Sequence, residues 1–249
     1  MIDFDPTIIN MQEIKTDGPI GMRAMISVPP GSNLPLLVFL HGIGEVGTNL
    51  KLVLRHGPLK QLQDGVNIGE PKIIIHPQNP SSAWSIQEID EVIEYCKKTY
   101  PVDVNRISLM GISLGGLGVW TYAQSPEHVK KLACIIPICG GGNDPSKANV
   151  LVADGIPGWA AHAENDPTVN QIITKRMVEA VNNLAGRSQI LFSEVGMWGH
   201  GAWNYFLKPE YGVYDWMKFQ KVSNKKSPNA DGDIIERLKV KFAEFLASL

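Results

Sequence analysis

Six short apolar runs separated by longer amphipathic stretches constrain this chain most: 34–41 (LPLLVFLH), 72–77 (KIIIHP), 106–110 (RISLM), 132–139 (LACIIPIC), 158–163 (GWAAHA) and 189–195 (QILFSEV). They are continuous rather than alternating, the pattern of strands buried on both faces. Between them, 85–100 puts Ile86, Ile89, Val92 and Ile93 on one side of a helix, and 168–184 spaces Ile172, Ile173, Met177, Val178 and Val181 at helical intervals. This alternation predicts an α/β chain with a mostly parallel central sheet and helices on both faces. The first thirty residues differ: IINMQEIK and GMRAMISVP flank TDGPIG, which predicts an antiparallel hairpin added to the sheet edge.

A chain of 249 residues, 44% hydrophobic, buries one full core, and a single domain over 1–222 is expected. Formal net charge is −2, with both signs scattered, so no cationic field points to nucleic acid or an anionic membrane. No segment approaches the ~18 consecutive apolar residues of a spanning helix, and the N-terminus lacks an apolar signal core, so a cytoplasmic location is expected. Cys96, Cys134 and Cys139 are an odd set without metal-ligand spacing and read as buried thiols. Residues 223–233 read as a linker. After it, Ile234, Ile235, Leu238, Phe242, Phe245, Leu246 and Leu249 form the stripe of an amphipathic helix, with Asp233 and Glu236 as a capping pair. That helix packs on its own domain or on a second copy, forming a homo-oligomer. The preceding NADGD lacks calcium-ligand spacing and reads as a turn.

The chemistry centres on RISLMGISLGGLGVW (106–120). A strand, then Gly111, Ser113 and Gly115 as G-x-S-x-G, then a helix from Leu114, is the context of a nucleophile elbow. A serine needs a base, and the base an orienting acid; on this elbow they follow along the chain as acid, then histidine. Of six histidines, only His200, in GMWGHGAW, lies beyond a suitable acid. AAHAENDPTV ends a strand and offers Asp166, with Glu164 two residues away as the alternative. For an oxyanion hole, Leu114 supplies one backbone N–H and the loop HGIGEVG the other, from Ile43 beside the small Gly42. Gly42, Gly44 and Gly47 also match G-x-G-x-x-G after a strand, a dinucleotide-binding fingerprint, but the next strand ends in His76 and Pro77 rather than an acid for a ribose.

VFLHGIGEVGTN, IIIHPQNPSSAW, VNRISLMGISLGGLGVW, HAENDPTV and GHGAWNYFLKPEYGVYDWM together resemble the α/β-hydrolase superfamily. More narrowly they resemble predicted carboxylesterases and peptidases related to dienelactone hydrolases, polyhydroxybutyrate depolymerases and feruloyl or acetyl-xylan esterases. The resemblance spans roughly residues 20–222. It implies the α/β-hydrolase fold, with Ser113 as nucleophile, Asp166 as acid, His200 as base, and Ile43 and Leu114 at the oxyanion. It also implies ester cleavage through an acyl-enzyme without metal or organic cofactor. The family's acid loop usually reads His-Gly, whereas Ala163 follows His162 here, which bears on the choice between Asp166 and Glu164. Only a short connection separates CIIPICGG from GWAAHAEND, so no large lid is expected and the site is open. An open site suits esters of a bulky alcohol or polymer, such as a decorated polysaccharide. Trp84, Trp198 and Trp203 are candidates for an aromatic wall around the substrate. A serine peptidase of the same fold and a non-catalytic hydrolase-fold binding protein are the alternatives.

Overall fold

The computed structural model describes residues 10–142 and 144–225. Among these, eight strands form one sheet: β1 (Met11–Lys15), β2 (Arg23–Ser27), β3 (Leu34–Leu40), β4 (Ile73–Gln78), β5 (Val102–Ile112), β6 (Cys134–Ile138), β7 (Gly158–Asn165) and β8 (Ile190–Trp198). Their order is β1-β2-β4-β3-β5-β6-β7-β8. The expected hairpin is present: β1 pairs antiparallel with β2, which pairs antiparallel with β4. From β4 to β8 all pairings are parallel. The chain steps outward from β3 to β4, returns across β3 to β5, and then runs one way to β8. The strand order therefore reverses between β3 and β5. Loops leaving the carboxyl ends of these two strands diverge and leave a crevice, where open α/β sheets place ligands.

The helices are α1 (Pro58–Gln63), α2 (Ile86–Thr99), α3 (Leu114–Ala123), α4 (Pro126–Val129), α5 (Ala148–Asp154), α6 (Gln171–Ala185), α7 (Trp203–Phe206) and α8 (Val213–Lys218). Alternate residues of each strand feed two cores, which explains the unbroken apolar runs. Leu36, Val38, Leu40, Ile73, Ile75, Leu109 and Ile135 pack with Ile89, Val92 and Ile93 of α2, Trp120 of α3 and Met177 and Val181 of α6. Leu37, Phe39, Ile74, Met110, Ile112 and Ile136 pack on the other face with Leu59, Phe206 and Trp216. α2 starts where Ser85 and Glu88 form a reciprocal capping box. Ile172 and Ile173 depart from the expected helical face, being 41% and 40% exposed. They lie in the first turn of α6, above the sheet's carboxyl edge, where no second layer covers them.

All three cysteines are buried and free. Lys225 ends the described chain against the domain, its Nζ donating to the Val129 carbonyl and to Asp154. Residues 226–249, with the NADGD turn and the C-terminal amphipathic helix, lie outside the described residues. Among the described residues no helix is long and apolar enough to cross a membrane.

Two histidines fasten the loops around the crevice. His41, after β3, donates from Nδ1 to the Gly42 carbonyl and accepts the Asn79 N–H at Nε2. His76, in β4, donates from Nδ1 to the Val53 carbonyl and accepts the Leu59 N–H at Nε2. Both rings are saturated in the neutral form. Burial lowers His41 to about 4 and His76 to about 3, from an ordinary 6.5. Between those values and 6.5 the unfolded chain takes up protons that the fold refuses. The stability these rings contribute is therefore whole above 6.5 and is lost as pH falls toward 4. We expect the urea midpoint to drop between about pH 7 and about pH 5, by an amount corresponding to a few kcal/mol. An unchanged midpoint over that interval would remove this account of the two rings.

Candidate active site

β5 ends at Ile112 and α3 begins at Leu114, so Ser113 alone makes the turn. It does so at φ 52°, a left-handed conformation for a residue with a side chain, costing about 1–3 kcal/mol. Its N–H is pinned to the Ile138 carbonyl at 2.8 Å. The flanking glycines supply close approach. A Cβ on Gly111 would lie 2.3 Å from the Gly115 carbonyl oxygen, and one on Gly115 would lie 2.0 Å from that of Leu40. Strand and helix touch backbone to backbone, and this lifts the serine over the carboxyl edge of the sheet.

His200 and Asp166 arrive from the loops after β8 and β7, which Gly199 links by donating its N–H to the Asn165 carbonyl at 3.1 Å. His200 Nε2 lies 2.7 Å from Ser113 Oγ, and Nδ1 lies 2.6 Å from Asp166 Oδ2. A carboxylate only accepts, so Nδ1 carries the ring proton and Nε2 is free to receive the serine's. Asp166 Oδ1 accepts the N–H groups of Thr168 and Val169 at 2.8 and 3.0 Å. Burial pushes this carboxyl up, but the hydrogen bonds from His200, Val169 and Thr168 outweigh burial and hold it below the ordinary carboxylate range. Glu164 is exposed and makes no contact with His200 among the described residues. Of the two candidate acids, the geometry selects Asp166.

One further member was not assigned from the sequence. His162, fully buried in β7, places Nε2 3.1 Å from Asp166 Oδ2 and 2.9 Å from the Val169 carbonyl. Both partners only accept, so this nitrogen carries a proton that it shares between them. Nδ1 faces Thr174 Oγ1 of α6 at 2.8 Å, and a neutral ring accepts the hydroxyl proton there. Burial lowers the His162 pKa, consistent with the neutral ring. Asp166 is thus held by two imidazoles and two backbone amides. The sequence signal is the four-residue spacing from His162 to Asp166, but a histidine flanked by alanines in a strand also reads as core. Cys139, His162 and Asp166 offer donor atoms within 4.8 Å of one another. Their chemistry fits a hydrogen-bonded cluster better than a metal site, since His162 Nε2 is a proton donor and burial pushes the Cys139 thiol up to about 12.

After β3 the backbone passes close to the serine: a Cβ on Gly42 would lie 3.4 Å from Ser113 Cβ. A larger residue would crowd the nucleophile, and Ile43 keeps its side chain outside, 59% exposed. The Ile43 backbone thus stands beside Ser113, and the Leu114 N–H lies at the first turn of α3, where helix N–H groups lack intrahelical partners. Glu45 is buried under this loop. Burial pushes its carboxyl up, with the Gly42 N–H opposing. The loop is a short 3-10 turn, Ile43–Glu45, rather than the start of a phosphate-binding helix, so the glycine pattern there is not a dinucleotide site.

The three tryptophans separate. Trp84 does not line the site: it is 5% exposed, sits in the core against Gly118 and the His41 ring, and donates from Nε1 to the His41 carbonyl. Its nearness in sequence to a site motif did not make it a surface residue. Trp203 meets the His200 ring edge-on at 5.3 Å and the His56 ring at 5.6 Å. Trp198, two residues before His200, is 79% exposed.

No family model matches the chain. A bifunctional acetylxylan esterase/xylanase of Neocallimastix patriciarum is 29% identical over 148 residues, 55% of this chain and 20% of that protein. A solved thermostable esterase superposes with a TM-score of 0.72 at 27% identity, over 85% of this chain and 63% of the other. The chain thus spans less than two thirds of both. A feruloyl esterase module from Clostridium thermocellum superposes with a TM-score of 0.63 at 18% identity, over 85% of this chain and 87% of the module. These likenesses agree with the strand order, the crossover between β3 and β5 and the one-residue turn at Ser113: the chain belongs to the α/β-hydrolase superfamily.

Proposed function

We propose that this protein is a serine hydrolase that cleaves carboxylic esters through an acyl-enzyme. The observation that carries this reading is the unbroken hydrogen-bond chain Ser113–His200–Asp166, with the serine held at a positive φ. Ser113 Oγ attacks the ester carbonyl while its proton passes to His200 Nε2, and the carbonyl oxygen gains negative charge. The N–H groups of Leu114 and Ile43 are the donors for that oxyanion, at the positive end of α3. The tetrahedral adduct collapses, His200 gives its proton to the departing alcohol, and an acyl-serine remains. A water molecule, deprotonated by His200, then repeats the sequence and releases the acid. Asp166 stays ionised throughout and stabilises the imidazolium formed in each half.

The substrate we favour is an ester of a bulky alcohol or polymer, such as a decorated polysaccharide. Between β6 and β7 the described residues form only a short 3-10 turn and the two-turn α5, too little to close over the crevice. The test is a series of p-nitrophenyl esters of increasing acyl length beside feruloyl and acetylated-sugar esters. A sharp preference for one sugar ester supports the reading, and a flat, weak profile would favour peptide substrates instead.

The hold of His162 on Asp166 gives a second expectation. His162→Leu should lower kcat by about 10- to 100-fold, the size typical of groups that orient a functional ligand, with little change in KM. His162→Gln, which keeps a donor, should recover much of the loss. Equal activity in all three proteins would leave His162 a packing residue.

A further inference from the structure

Beyond the triad lies an open cleft of about 380 Å³, walled by the acid loop after β7, the first turn of α6 and the end of β8. Its lip is the 79% exposed indole of Trp198, and Ile172 adds apolar surface beside it. The polar lining is largely unpaired. The side chains of Glu164 and Asn165 have no hydrogen-bond partner among the described residues, and Gln171 Nε2 is buried without one. Lys175 is paired with Glu194 and so contributes little free charge. The cleft and the triad share the Asp166 loop, and Trp198 stands two residues from His200. Whatever lies on Trp198 is therefore joined to, or adjacent to, the group attacked by Ser113.

We infer that this cleft is a saccharide subsite, holding a pyranose unit that neighbours the esterified one. The inference deepens the esterase reading and rests on it only for where the scissile ester sits. A pyranose ring has an apolar C–H face and a rim of hydroxyls, each both donor and acceptor. The C–H face matches an exposed indole. The rim matches carboxamides, which donate and accept together, and a carboxylate, which accepts. A flat aromatic acyl group would satisfy the indole but leave the Asn165 and Gln171 amides unpaired on entry, a cost of about 1–3 kcal/mol for each buried group. A pyranose pairs both. The open shape also lets a chain continue in both directions, as a polysaccharide requires.

The test uses the full-length Ser113→Ala protein, which binds without turnover, titrated calorimetrically with xylotetraose and cellotetraose, and with ferulate as the aromatic comparison. At least one tetrasaccharide should bind, Trp198→Ala in the same background should weaken it about tenfold or more, and Trp198→Phe should restore part of the loss. Gln171→Ala should weaken it several-fold. Absence of binding by both tetrasaccharides, binding unaffected by Trp198→Ala, or loss of ferulate binding alone would each overturn the subsite. Fluorophosphonate labelling of the wild-type protein tests the hydrolase reading separately: tetrasaccharide binding through Trp198 in a protein that is not labelled would keep the subsite and remove the esterase.

Discussion

His200→Gln is expected to lower kcat for ester hydrolysis by about 10⁴-fold or more, leaving only what the oxyanion donors and binding contribute. The magnitude follows from the geometry. His200 is the group within hydrogen-bond distance of both Ser113 Oγ and the buried Asp166 carboxylate. It takes the serine's proton in one half-reaction and activates water in the other, so its loss removes proton transfer from both. Glutamine preserves size and hydrogen bonding but cannot carry a proton through the cycle. Steady-state rates on p-nitrophenyl acetate with matched circular dichroism spectra measure the effect. A loss smaller than about tenfold would mean that another group serves as base.

The second large effect is on stability. Gly115→Ala is expected to destabilise the fold by about 3 kcal/mol or more, at the upper end for overpacking, and to lower Tm by roughly 10 °C. The added methyl would stand 2.0 Å from the Leu40 carbonyl oxygen and 2.8 Å from that of His41. Both oxygens belong to backbone at the end of the central strand β3 and cannot rotate away as a side chain would. Gly44→Ala is the matched control, because a Cβ there meets nothing within 4 Å and should leave Tm nearly unchanged. Similar Tm values for the two variants would mean that strand and helix are not packed backbone to backbone at the elbow.

The parts of the fold that could be read from the sequence are those fixed by local chemistry. Runs such as LPLLVFLH are legible because both faces of β3 are buried, so every side chain answers to the same requirement. Ser113 is legible because its constraint is local: two glycines at fixed spacing and a change of element around one residue. His200 followed from chain order. The choice between Asp166 and Glu164 was open because both follow the same apolar run. It is settled only when Gly199 brings the β8 loop onto Asn165 and sets His200 beside one carboxylate. Trp84 shows the converse limit. It adjoins a site motif in sequence, yet its indole points under α3, and burial is a property of layers that neighbouring residues do not record. The G-x-G-x-x-G pattern failed for a related reason: glycine spacing specifies a turn but not whether a helix starts after it. His162 was visible only as a strand histidine, because its partners Asp166, Val169 and Thr174 come together through the turn into α6.

The most direct test of the central claim is to treat the wild-type protein with a fluorophosphonate probe and locate the adduct by peptide mass spectrometry. A single, time-dependent adduct on Ser113, absent from Ser113→Ala and strongly slowed in His200→Gln, is the predicted result. No adduct, or an adduct on another residue that survives Ser113→Ala, would contradict it.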